Sequence, residues 1–94
     1  MWRVRETKAA RKVLDKAPSI IKDHWDLWVS IVEQSGPRGL LAIRGYGDEA
    51  LSGEWRGHRA SRLTIHCRII YRVHQEELEV RVARVTLGHD YRRK

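Results

Sequence analysis

Apolar positions recur at three- and four-residue intervals through the first third of the chain and at every second position through its last third. Trp2-Arg3-Val4 alternates apolar and basic, which predicts a short first strand. Thr7 can cap a helix whose apolar positions are Ala10, Val13, Leu14 and Ala17, and Pro18 stops it because proline cannot continue a helix. Ser19 is expected to cap a second helix. Here Ile21, Trp25, Trp28 and Val32 form one stripe with Ile20, Leu27 and Ile31 beside it, while Lys22, Asp23, Asp26 and Glu33 face away. Gly36 and Pro37 end it. Trp25 and Trp28 offer flat faces for stacking on bases, yet their helical spacing inside an apolar stripe reads as core packing.

Between the two regimes, Pro37 to Glu49 carries Pro37, Gly39, Gly45 and Gly47 and reads as a mobile connector, pinned to the core by Leu40, Leu41 and Ile43. From Trp55 onward the period is two. Ser61 to His66 alternates, and Arg68 to His74 sends Ile69, Tyr71 and Val73 to one face and Arg68, Ile70 and Arg72 to the other. Gln75-Glu76-Glu77 turns the chain, and Leu78, Val80 and Val82 alternate with Glu79 and Arg81 in a last strand. The prediction is an α+β fold of order β-α-α-β-β-β, with two helices packed on one face of a mainly antiparallel sheet. Its other face is left open for function. At 94 residues the chain makes one domain, 1–94, with one core.

Charge narrows the partners. Nineteen Lys and Arg against twelve Asp and Glu give a net charge of +7, which draws in polyanions: nucleic acid, ribosome or an acidic protein. The one cysteine, Cys67, cannot form an internal disulfide or a paired-cysteine metal knuckle, and such usage suits a reducing cytosol. Neither an apolar leader nor a run approaching the roughly 20 apolar residues of a membrane span is present, so a cytoplasmic location without membrane contact is expected.

Five arginines (Arg56, Arg59, Arg62, Arg68, Arg72) and three histidines (His58, His66, His74) lie between Glu54 and His74 against Glu54 alone, predicting a basic sheet face. A second cluster runs from Arg81 and Arg84 to His89-Asp90-Tyr91-Arg92-Arg93-Lys94. Arginine, used here almost to the exclusion of lysine, clamps phosphate through two parallel N–H groups and stacks on bases. A solvated charged face is the plainer alternative. Cutting RNA without a metal requires a base for the 2′-OH proton, a cation for the charge growing on phosphorus and an acid for the departing 5′-oxygen; Arg, His, Tyr and a carboxylate supply all three. His58, His66, Cys67 and His74 lack a metal-ligand spacing, so no metal or other cofactor is expected, and Cys67 reads as a small packed residue.

Leu51-Ser52-Gly53-Glu54-Trp55, then Arg59 to Leu63, then Arg68-Ile69-Ile70-Tyr71-Arg72-Val73, and finally His89-Asp90-Tyr91-Arg92 resemble the pattern of the RelE/YoeB/HigB superfamily of toxins. The likeness is close from Leu51 onward and a matter of layout before it. It implies a RelE/ParE-like fold and a type II toxin. Such a protein is a metal-independent endoribonuclease that enters the A site of the ribosomal 30S subunit and cuts mRNA by 2′-OH attack, leaving a 2′,3′-cyclic phosphate. A cognate antitoxin neutralises it and forms an oligomer with it. By the same resemblance Arg68 stabilises the transition state, His89 and Tyr91 serve the leaving group and base, and Arg56, Arg59, Arg62, Arg72, Arg92 and Arg93 hold RNA. Ungapped alignment of the Leu-Ser-Gly pieces puts the family's general-base glutamate on Gly45. That leaves the base to Asp48, Glu49 or His58, of which Glu49 is taken for the catalytic set. His89 and Tyr91 are separated by Asp90, whereas the pair is adjacent in YoeB.

Two other functions fit this reading. A ParE-like relative would share fold and antitoxin but poison DNA gyrase, and a non-catalytic RNA-binding module would keep the arginines and cut nothing. Growth arrest with intact DNA topology separates the first from the RNase; mRNA cleavage on translating ribosomes separates the second.

Overall fold

Thr7 both starts a helix and fastens it to the sheet. Its hydroxyl accepts from the Ala10 amide at 3.1 Å, satisfying one of the N–H groups that a helix start leaves open, and donates to the Ala83 carbonyl at 3.1 Å. The computed structural model describes residues 1–88. In it, strand β1 (Arg3–Glu6) leads into helix α1 (Lys8–Asp15), and helix α2 (Ser19–Ser35) follows. Pro18 rather than Ser19 occupies the cap of α2, with no side-chain cap bond; its extended ψ leaves Ser19 as the first helical residue. The predicted stripe is the buried one, with Ile21, Trp28 and Val32 inaccessible and Trp25 nearly so, while Ile20 and Leu27 stay exposed.

The stretch read as a mobile connector is structured. Helix α3 (Pro37–Ala42), a 3₁₀ turn at Arg44–Tyr46 and a short strand β2 (Glu49–Ala50) occupy it. Pro37, taken as a stop, is also a start: its fixed φ suits the first position of a helix. Gly36 makes the reversal between the two helices at φ 73, and a Cβ there would lie 2.8 Å from the Trp2 indole nitrogen. Burial explains the order, since Leu40 is inaccessible and Tyr46 nearly so, whereas Leu41 and Ile43 remain exposed. The element order is thus β-α-α-α-β-β-β-β, one helix and one strand more than expected.

Strands β3 (Arg59–Thr64), β4 (Cys67–His74) and β5 (Glu79–Leu87) complete a five-stranded sheet of order β1-β5-β4-β3-β2. Only the β1–β5 pair is parallel. Leu63, Cys67, Ile69, Tyr71, Val80, Val82 and Val85 meet the apolar stripes of the helices in one core, so the α+β class and the helix-bearing face are as the period-two pattern indicated. A bulge in β5 lets Ile70 face Arg84 and Tyr71 face Val82, leaving Ala83 without a counterpart on β4. The Thr7 hydroxyl takes up the carbonyl of that extra residue.

Candidate functional site

Alternation along β4 sends Arg68, Ile70 and Arg72 to the face the helices leave open, and the register sets Arg62 of β3 opposite Arg68. Strand β2 lies on the far side of β3, with Glu49 opposite Ala60. From there the Glu49 carboxylate accepts from Arg68 Nη2 at 3.3 Å. Both side chains are more than half exposed, 53% for Arg68 and 62% for Glu49, so the pair is open to a ligand and weakly held. Of the three candidates for the base, Glu49 is therefore the one that touches Arg68 in this structure.

Asp48 is elsewhere. Its side chain is 2% exposed and turned to the helix-bearing face, where Arg59 Nε donates to it at 2.6 Å and the Tyr71 hydroxyl makes a very short hydrogen bond to its other oxygen. Burial, reinforced by the Asp48 carboxylate, holds Tyr71 far above the ordinary range of a phenol, so it stays protonated and donates a hydrogen bond to Asp48. The Asp48 bond likewise raises Arg59 above its ordinary value. Arg59 was expected on the basic open face. The register instead sets it opposite Tyr71, on the helix side, because alternation puts residues 59, 61 and 63 on one face and 60, 62 and 64 on the other.

A second group stands on the open face. Arg84 lies over the Trp55 ring, 5.6 Å from its centroid, and His58 meets the same ring edge-on at 5.1 Å. Trp55 is the last residue of a 3₁₀ turn at Gly53–Trp55, which carries the indole back over the sheet. Beyond it a shallow cavity of about 360 Å³ is lined by Arg5, His58, Arg72, His74 and Arg81 among others. His58 Nδ1 is buried there without a hydrogen-bond partner. The larger cleft, about 480 Å³, opens on the helix side around Trp2, Pro37, Leu41 and Tyr71 and does not include the Arg68–Glu49 pair.

Of the predicted site, the structure brings together Glu49, Arg68 and Arg62 at one end of the open face and sets Arg72 further along the same strand. Arg56 is exposed just after the Trp55 turn. His89, Tyr91, Arg92 and Arg93 lie outside the described residues. The reading from sequence missed the Trp55–Arg84 stack and the binding of Asp48 inside the fold. A signal for the second existed: Tyr71 falls on the buried side of its strand, and a buried phenol needs a partner for its hydroxyl. Among the described residues no three His, Cys, Asp or Glu side chains gather closely enough to hold a metal ion, and no helix is long and apolar enough to cross a membrane.

No protein-family model and no curated protein matches the chain. Solved structures do. A chain of the RelBE2 toxin–antitoxin complex from Mycobacterium tuberculosis is 26% identical, with 92% of this chain and 96% of that one aligned at a TM-score of 0.68. A chain of the archaeal RelE–RelB complex from Pyrococcus horikoshii is 21% identical over 94% and 96% of the two, at 0.73. One from the YoeB–YefM complex of Staphylococcus aureus is 12% identical over 95% and 99%, at 0.72. The chain thus has the fold of the RelE and YoeB toxins, and it is similar to the mycobacterial chain over nearly its whole length, with a quarter of the aligned residues identical.

Proposed function

We propose that the chain is the toxin of a toxin–antitoxin pair and an endoribonuclease that cuts mRNA in the ribosomal A site without a metal. The observation that carries this reading is the exposed Arg68–Glu49 pair, 3.3 Å apart on a basic sheet face. A carboxylate beside a guanidinium meets the needs of 2′-OH attack. Glu49 takes the proton of the ribose hydroxyl, whose oxygen then bonds to phosphorus, while Arg68 holds two phosphate oxygens as charge accumulates there. The bond from phosphorus to the 5′-oxygen breaks, leaving a 2′,3′-cyclic phosphate on one fragment and a 5′-hydroxyl on the other. His89 and Tyr91 are assigned to the departing oxygen. Arg56, Arg62, Arg72, Arg92 and Arg93 are assigned to neighbouring phosphates, and Arg59, bound to Asp48 on the other face, is left out.

The solved relatives that come as toxin–antitoxin complexes support an antitoxin as partner. Its contact with a face this rich in arginine should weaken with salt. The test is to induce the protein in cells and map the 5′-ends of mRNA. Cuts in frame with codons, lost in the Glu49→Gln and Arg68→Ala variants, are expected. Growth arrest with uncut mRNA and altered DNA supercoiling would replace this reading with gyrase poisoning.

A further inference from the structure

Asp48 immediately precedes strand β2 and Glu49 opens it, and their side chains leave opposite faces of the sheet, Asp48 toward Arg59 and Tyr71 and Glu49 toward Arg68. We propose that Asp48 is a positioning residue for the Arg68–Glu49 pair: clamped by Tyr71 and Arg59 on the helix side, it fixes strand β2 so that Glu49 meets Arg68 on the open side. The proposal rests on reading that pair as the cleavage centre.

Strand β2 has little else to hold it. It is two residues long, sits at the edge of the sheet among the described residues, pairs through Glu49 with Ala60 and Ala50 with Arg59 and through one further backbone bond, from the Leu51 amide to the His58 carbonyl at 3.0 Å, and both of its residues are exposed. An edge strand this short, with no apolar side chain in the core, frays readily. The residue before it supplies the missing anchor. The Asp48 carboxylate receives one bond from β3, through Arg59 at 2.6 Å, and one from β4, through Tyr71. Tyr71 is itself inaccessible and packs edge-on against Trp28, ring centroids 5.4 Å apart, so the anchor point is part of the core. Three residues earlier on β4, and on its other face, stands Arg68. The clamp and the cation share one strand, and the span from Tyr71 through Asp48 to Glu49 and back to Arg68 closes a loop across the sheet edge. A buried carboxylate is costly to desolvate, and its pairing with two fixed donors offsets that cost only when the geometry holds. Its rigidity is what the exposed pair lacks.

Single-turnover cleavage on programmed ribosomes tests this with Asp48→Asn, Tyr71→Phe, Glu49→Gln and the Asp48→Asn/Glu49→Gln double variant, alongside ribosome affinity and hydrogen exchange of the amides at 48–51. Asp48→Asn should slow cleavage by up to about a hundredfold, the scale of a 1 Å misplacement, with ribosome affinity held. Tyr71→Phe, which keeps the packing, should act in the same direction and supplies the test if Asp48→Asn fails to fold. Both should speed exchange at 48–51 while β4 and β5 stay protected, and the double variant should be no slower than Glu49→Gln alone. Parental cleavage by both Asp48→Asn and Tyr71→Phe beside an inactive Glu49→Gln overturns the proposal and leaves the cleavage centre standing. So does a double variant whose losses multiply, since Asp48 then acts independently of Glu49. Parental cleavage by Glu49→Gln instead sinks the cleavage centre, and the proposal with it.

Discussion

Trp28 and Ser61 meet in the middle of the core, the indole Nε1 donating to the serine hydroxyl at 2.9 Å with both residues essentially inaccessible. Trp28 also stacks on Trp25, ring centroids 5.6 Å apart, so the two tryptophans join α2 to β3 and β4 and do not face a ligand. Trp28→Ala should cost about 3 to 5 kcal/mol of stability. Trp28→Phe keeps an aromatic ring, though a smaller one, but strands the buried Ser61 hydroxyl, at about 1 to 3 kcal/mol. Urea unfolding measures both. A fully stable variant with lost RNA binding would show a stacking role instead.

Arg68→Lys keeps the charge and loses the fork. An ammonium cannot offer two parallel N–H groups to a phosphate, and loss of one preorganised donor costs about 2.7 to 4 kcal/mol, a hundred- to thousandfold in rate. Single-turnover cleavage should fall by that factor. Ribosome affinity, which draws on many positive charges, should change far less, and thermal stability should hold because the Arg68–Glu49 pair is exposed. Cleavage at the parental rate would remove Arg68 from the mechanism.

On β5, one strand in from the far edge of the sheet, Glu79 is enclosed by three arginines: Arg81 at 2.6 Å, Arg5 at 2.8 Å and Arg3 at 3.4 Å. The Arg81 hydrogen bond first, and the charges of Arg5, Arg81 and Arg3 with it, hold its carboxyl below the ordinary 4.5. A depressed pKa means that the folded state favours the ionised form. The resulting stability is present above pH 4.5 and is lost as pH falls through the lower folded value. Glu79→Gln should therefore be less stable than the parent at neutral pH, and the gap should close in acid. Parallel pH–stability curves from urea unfolding would contradict this.

Cys67 is inaccessible, and burial pushes its thiol up to about 11 from 9.0. The neutral thiol is thus favoured by folding, and that part of the stability is present below pH 9.0 and lost as pH rises toward 11. Iodoacetamide at pH 8 should label the native protein only as fast as it opens, and in urea promptly. Rapid labelling of the native protein would place the thiol at the surface.

The spacing of apolar residues by itself determined the two long helices, the three long strands and the face each buries, because a side chain's direction repeats every 3.6 or 2.0 residues whatever it packs against. It also put Arg68 and Arg72 on the open face. What lay between Pro37 and Ala50 was decided by tertiary structure: α3 and β2 are too short to show a period, and they exist because Leu40 and the Asp48 carboxylate find buried partners on other elements. Arg59 was misplaced for a related reason, since the β3 pattern predicted from Ser61 onward was not extended back to it, and the Asp48 that holds it is an 11-residue step away in the chain. The meeting of Glu49 with Arg68, nineteen residues apart in sequence, likewise depends on strand order and register. These are set by long-range pairing between β2, β3 and β4, which no local pattern in the chain encodes.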